Sequence, residues 1–309
     1  MESLIYDALA AIYTGGVITE TTQFLADIMK ALVTLFKDPT FSEKTMIFAS
    51  MSGALMIIFF YMDLASQASR DIITLEKLVT SCIKFFIAFM ILLYLQEIIT
   101  ALFNLCYLIY QSAAASLKET MNKDMIFFPG YYETVTFKPT PGALPPKSDA
   151  LMDYIKNQLG YKNAITGYAK NMDLFLALII PYFLATGAKY VSFFISVSNA
   201  LMLIVQAIFA PLGVVQLFDE GQRSTGVRYL KRFAATGLTF AIILGILYGS
   251  TKFQTILISI QTNKLTSIDI SNLKTAFSGT VGIQMVIIQF GCVGLLFKAL
   301  QIAKETVGV

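Results

Sequence analysis

The chain reads as an all-α, polytopic membrane protein with five transmembrane helices, or six, an amphipathic N-terminal helical region and one large polar loop. Three observations carry that reading. A run of 45 residues, Leu174 to Phe218, holds a single charge, Lys189, and about 20 apolar residues suffice to cross the hydrocarbon of a bilayer. Of 309 residues, 56% are apolar and 14% charged, with a mean hydropathy of +0.67, whereas soluble domains carry about 25% charged residues. The apolar stretches are continuous rather than alternating with polar residues, which selects helices over a β-barrel.

Residues 1–43 form one or two amphipathic helices. Phe24, Ile28, Leu32 and Phe36 recur every fourth residue, flanked by Leu25, Met29 and Val33, while Glu20, Asp27, Lys30 and Lys37 lie off that stripe. The segment is too charged to span alone, so it is expected along the interface or against a partner. Asp38-Pro39 should end it. Thr45 to Met62, uncharged for 18 residues, is the first span. Residues 63–80, with Arg70 and Lys77, are expected as a polar helical connection, and the second span covers 83–110.

The large polar loop runs over 117–172. Five of the eight prolines fall in 129–146, at 129, 139, 141, 145 and 146, and preclude helix in that stretch. Ser148 to Lys170 then returns to amphipathic helix, with Leu151, Ile155 and Leu159 at four-residue spacing. In the run 174–218, Pro181 is expected to kink its helix and Pro211 with Gly213 to break it near the membrane surface. A span follows at 230–251, uncharged from Phe233 to Thr251, and a last one at 276–300. The cluster Arg223, Arg228, Lys231 and Arg232 places a basic loop, 219–232, in the cytoplasm, because short Lys/Arg-rich loops stay inside. If 174–218 crosses once there are five spans; if twice, six.

Composition excludes several chemistries. With no His there is no Ser-His-Asp triad and no His-ligated metal. Cys82, Cys106 and Cys292 are far apart and form no CxxC pair. There is no GxxxxGK[ST] loop and no basic leader at Met1-Glu2-Ser3. No cofactor, metal or catalytic set is expected.

Four features remain as candidates. Gly237, Ala241, Gly245 and Gly249 recur every fourth residue on one helical face, where small residues let helix backbones approach, within the chain or between subunits. Gly279, Gly282, Gly291 and Gly294, with Gln284 and Gln289, mark the last span similarly. Glu97 sits in an apolar stretch beside Gln96; a carboxylate there should face a bundle interior or a wet path, or pair with Lys84 or Lys189. The loop 117–172 mixes seven lysines with aromatics such as Phe127, Tyr131 and Tyr154, the residue types that stack on single-stranded nucleic acid, but five carboxylates leave it at only +2, which suits a solvated or protein-docking loop.

Phe209-Ala210-Pro211-Leu212-Gly213, then Asp219-Glu220-Gly221, then Gly226-Val227-Arg228-Tyr229-Leu230-Lys231-Arg232-Phe233 opening a Gly-rich span, resembles the TrbL-type polytopic subunit of conjugative type IV secretion systems. The resemblance is carried by residues 200–250 and extends elsewhere only to layout. It implies a non-catalytic, oligomerising component of a channel in the bacterial cytoplasmic (inner) membrane, docked to other secretion-machine subunits. It also implies a loop 117–172 facing outward as a candidate contact for transferred single-stranded DNA, which favours five spans. Two other readings stand beside it. A solute or ion-coupled transporter would call for a second, inverted copy of the broken region, which the sequence does not show. A membrane assembly factor or phage-type membrane protein would act without a large complex.

Overall fold

The computed structural model describes residues 2–13, 16–69, 75–121, 148–158, 160, 163, 165–166, 172–215, 225–262 and 280–309. Among them every regular element is helical: α1 (Glu2–Tyr13), α2 (Gly16–Lys37), α3 (Pro39–Ser69), α4 (Leu75–Leu93), α5 (Leu95–Met121), α6 (Asp149–Gln158), α7 (Met172–Val215), α8 (Thr225–Thr262), α9 (Thr280–Phe297) and α10 (Ala299–Val307). Among the described residues four helices are long and apolar enough to cross a membrane: Ile47–Ser69, Leu95–Leu117, Met172–Val215 and Gly226–Gln254. A fifth span is formed if α9 and α10 count as one, interrupted at Lys298. The chain is a multi-pass, all-α membrane protein. By internal contacts it divides into two units: Met1–Leu25 with Gln111–Ile195 and Ala241–Ala299, and Ala26–Tyr110 with Ser196–Phe240 and Leu300–Val309.

In the first unit α6 packs on α1. Ser148 caps α6, its hydroxyl accepting the Leu151 N–H at 3.3 Å, and Leu151 and Ile155 turn inward. This is the amphipathic helix expected after the prolines; Leu159, the next position of that spacing, and residues 122–147 lie outside the described residues.

The second unit contains a helical hairpin, α3 against α4. Asp38 opens it: its carboxylate accepts the Thr40 N–H at 2.9 Å, and Pro39 occupies the first helical position, where its missing N–H costs nothing. Asp38-Pro39 therefore ends α2 and starts α3 in a single residue. The polar helical connection expected over 63–80 is helix up to Ser69 and again from Leu75, and residues 70–74 lie outside the described residues.

The second span also differs from expectation. Residues 83–110 are divided at Tyr94 between α4 and α5, and the apolar window is Leu95–Leu117. The hydrogen-bond ladder nevertheless passes through the junction, with Tyr94 N–H donating to Met90 O at 3.1 Å and Ile98 N–H to Tyr94 O at 3.0 Å.

The expected break at Pro211 and Gly213 does not occur. α7 is helical throughout Met172–Val215, including Pro181, Pro211 and Gly213. At 44 residues it is about 66 Å long, over twice a bilayer's hydrocarbon. A proline forfeits one i→i−4 bond; at Pro211 the bond is that of Ala207, one turn before the end of the described helix, and both residues are buried. Packing around that turn holds the helix where sequence rules would end it.

Candidate functional site

In the second unit α5, α7 and α8 approach one another closely. An ideal Cβ built on Gly213 would lie 2.7 Å from Cγ of the Tyr229 ring, so no larger residue fits there unless the ring moves. The same tyrosine's hydroxyl donates to the carbonyl of Gln206, one helix away. Gly213 is thus a close-approach residue rather than a helix breaker. Gly237 has the same role against α5: a Cβ there would lie 2.9 Å from Cys106 Sγ, and that thiol points at Ala234 O, 3.6 Å away. Thr236, fully buried beside it, donates to Arg232 O at 2.9 Å.

The remainder of the small-residue stripe behaves differently. Ala241 is half-buried, and Gly245 and Gly249 are exposed, with no described atom within 4 Å of where a Cβ would sit. The four residues share a face of α8, but of its three glycines only Gly237 has a described atom within 4 Å of where a Cβ would sit. Gly291 and Gly294 of α9 are open in the same way.

The charged candidates are also redistributed. Lys189 pairs with Glu20 of α2, not with Glu97. Its ammonium lies 5.4 Å from the Tyr190 ring centre and 5.9 Å from that of Phe193, within cation–π range, and the Phe193 ring centre in turn lies 4.2 Å from that of Phe24, the two rings tilted by 34°. Glu97 and Lys84 are exposed, and Glu97 falls in the first turn of α5, where a carboxylate suits the helix dipole. Gln96 beside it ties α5 to α2. Its side-chain amide donates to Phe36 O at 3.1 Å, satisfying a carbonyl at the end of α2. Arg228, Lys231 and Arg232 are exposed on the first turns of α8, so the basic "loop" is helix from Thr225 onward; Arg223 lies outside the described residues.

Sequence reasoning missed a polar lock in the α3–α4 hairpin. Ser81, buried on α4, donates to Asp63 Oδ2 at 2.7 Å, and Gln67 donates to Asp63 at 2.9 Å and to Ser81 Oγ at 2.9 Å. Asp63 and Gln67, four apart at the end of an uncharged run, were its sequence signal. Such groups left against hydrocarbon cost about 2.5–3.5 kcal/mol per charge, which a partnered geometry reduces.

The second unit also holds a cavity of about 370 Å³, within the range of roughly 300–1,000 Å³ usual for ligand pockets. α3 contributes Thr45, Ala49 and Gly53, α4 contributes Phe89 and Leu92, α5 contributes Gln96, and α7 contributes Ala207 and Pro211. The lining is apolar except for Thr45, Ser50 and Gln96. Among the described residues no group of three or more His, Cys, Asp or Glu is placed to hold a metal ion, and Cys82, Cys106 and Cys292 are free thiols. Asn199 Nδ2 and Gln206 Oε1 on α7, and both side-chain polar atoms of Gln254 on α8, are buried without a hydrogen-bond partner among the described residues.

No protein-family model matches the chain, and neither a curated protein nor a solved structure does.

Proposed function

We propose that this chain is a non-catalytic subunit of a conjugative, type IV secretion-like DNA-transfer machine that oligomerises in a bacterial cytoplasmic membrane with other secretion-machine subunits. The observation that carries the reading is the joint between α7 and α8. The two segments that resemble TrbL-type subunits, 209–213 and 226–233, supply the two sides of one interlocked contact, Gly213 under Tyr229. The motif is therefore a packing unit, the kind of feature a scaffold subunit needs. Wide exposed apolar faces, such as Ile283, Ile287, Phe290 and Phe297 on α9, add surface for lipid or neighbouring subunits.

The experiment is an in-frame deletion complemented in trans, with transfer of the encoding element counted between cells. Loss of transfer, restored by the complementing copy and accompanied by normal growth, is the expected result. Undiminished transfer overturns the reading. A small-solute transporter is the second reading, favoured by the cavity lined by Thr45, Ser50 and Gln96; concentrative uptake into vesicles, abolished by Gln96→Leu, would select it.

A further inference from the structure

The lining of the cavity in the second unit divides into a floor and a rim. Leu92, Leu95, Ile99, Ala207 and Pro211 are buried and form the floor; Ser50 of α3 and Phe89 and Leu93 of α4 are exposed and form the rim. The cavity thus opens between the two helices of the hairpin. Small residues make the room. α3 presents Thr45, Ala49 and Gly53 every fourth residue on that side, and a Cβ added to Gly53 would meet only Leu92, at 4.0 Å.

The depth of the opening follows from α3 itself. Its uncharged run, Thr45–Met62, is bounded by Lys44 and Asp63. Those 18 residues lie in one continuous helix and rise about 27 Å, close to the ~30 Å of a bilayer's hydrocarbon. Ser50 and Gly53 stand about 8 and 12 Å inside the run. α4 runs antiparallel beside it: Ser81 meets Asp63, the Phe85 ring lies 4.9 Å from that of Phe60, and Leu92 lies against Gly53. Phe89 and Leu93 therefore flank the same stretch of α3. Around the opening both helices expose large apolar side chains, Ile47 and Met51 on one and Phe86 and Met90 on the other, the surface that suits hydrocarbon.

Size and chemistry set what can enter. The cavity holds about 370 Å³, the room of roughly a dozen water molecules at ~30 Å³ each. A helix with its side chains is about 10–12 Å across and does not fit; a single flexible chain does. No charged side chain lines the space, Ser50 donates to Ile47 O at 2.8 Å, and the Gln96 amide is tied to Phe36 O. A cavity with apolar walls stays dry and takes up apolar molecules, and at this depth the molecules within reach are lipid tails.

We propose that the cavity binds one acyl chain of a bilayer phospholipid, threaded between α3 and α4 onto the floor formed with α5 and α7. The proposal goes beyond the DNA-transfer reading and does not depend on it.

Photo-crosslinking tests it. The full-length protein is reconstituted in vesicles of phosphatidylethanolamine and phosphatidylglycerol doped with a phosphatidylcholine that carries a diazirine midway along one acyl chain. After illumination, adducts are located by peptide mass spectrometry. They are expected on the buried floor residues Leu92, Ile99 and Ala207 as well as on the exposed Phe86 and Met90. Gly53→Leu, whose side chain can grow into the cavity, should abolish the floor adducts and spare those at Phe86 and Met90. Ala49→Leu should do the same. Gly187→Leu, a position outside the lining with nothing described within 4 Å of its Cβ, should change neither set. Adducts confined to the exposed residues of the wild-type protein would mean that a partner's side chain or a polar solute takes the space, and would overturn the proposal. Floor adducts that persist in both Gly53→Leu and Ala49→Leu would overturn it too, because the label would then have reached the floor by another route. Crosslinking does not read transfer: floor adducts with undiminished mating would leave the lipid site standing and remove the DNA-transfer reading, while lost mating without floor adducts would do the reverse.

Discussion

Gly237 and Gly245 lie two turns apart on one face of α8, and their surroundings are opposite. Gly237 is buried, with the Cys106 thiol where a side chain would begin; Gly245 is exposed, with no described atom within 4 Å. Both residues share the same helix, the same face and the same four-residue repeat. Small residues permit close approach, but a partner has to be present for the approach to happen. The open glycines Gly245 and Gly249 thus leave room for contact with another polypeptide or with lipid, while Gly237 is fixed by the chain's own fold. The spans show the same division at larger scale: half of the best Gly226–Gln254 window is buried, against 11% of the Ile47–Ser69 window.

The largest expected effect comes from the closed end of the stripe. Gly237→Leu should destabilise the protein by about 3 kcal/mol, because the added atoms overlap Cys106 and α5 must move. Detergent-titrated unfolding in mixed micelles would show it; a wild-type midpoint would mean that the Cys106 contact yields without cost. Gly213→Ala should cost about 1–2 kcal/mol by the same assay, since overlap with the Tyr229 ring outweighs the helix propensity that alanine gains. Adding Tyr229→Ala should relieve most of that loss; an additive double variant would contradict the interlock.

Asp63→Ala tests the α3–α4 hairpin. It removes both hydrogen bonds to the carboxylate, for an expected loss of about 1 kcal/mol, in line with interhelical hydrogen bonds in membranes. Faster proteolysis at the α3–α4 turn would report it, and an unchanged rate would mean that the lock adds nothing to the hairpin. The smallest effect on the isolated chain is expected for Gly245→Leu, within about 0.5 kcal/mol, as for other exposed sites. The same variant should lower the yield of assembled complex on native gels. Unchanged assembly would mean that the open glycines face lipid.

Much of the architecture was legible because apolar run length and turn chemistry are local. The 45-residue run, the helix end at Asp38-Pro39 and the amphipathic helix after Ser148 each depend on neighbours in sequence. Local rules failed where distant residues intervened. Pro211 and Gly213 read as a helix end, yet α7 continues because burial and Tyr229 hold that turn in place. Lys189 was one of two lysines open to Glu97, yet α2 delivers Glu20 to it, and a separation of 169 residues is beyond any spacing argument. Asp63, Gln67 and Ser81 were ordinary polar residues until the hairpin brought α4 back across α3.

By itself, then, the sequence determined that this is a helical, multi-pass membrane protein, where most of its apolar helices lie, and that α2 has one apolar and one polar side. Bilayer thickness and helical periodicity set those features one segment at a time. Only the tertiary structure decided which face of each helix is occupied: that Gly237 is filled and Gly245 open, that Glu20 neutralises Lys189, and that the polar side of α2 is turned away from the chain's own core. Those outcomes depend on which helices come together, and contact between surfaces remote in sequence leaves no period within either one.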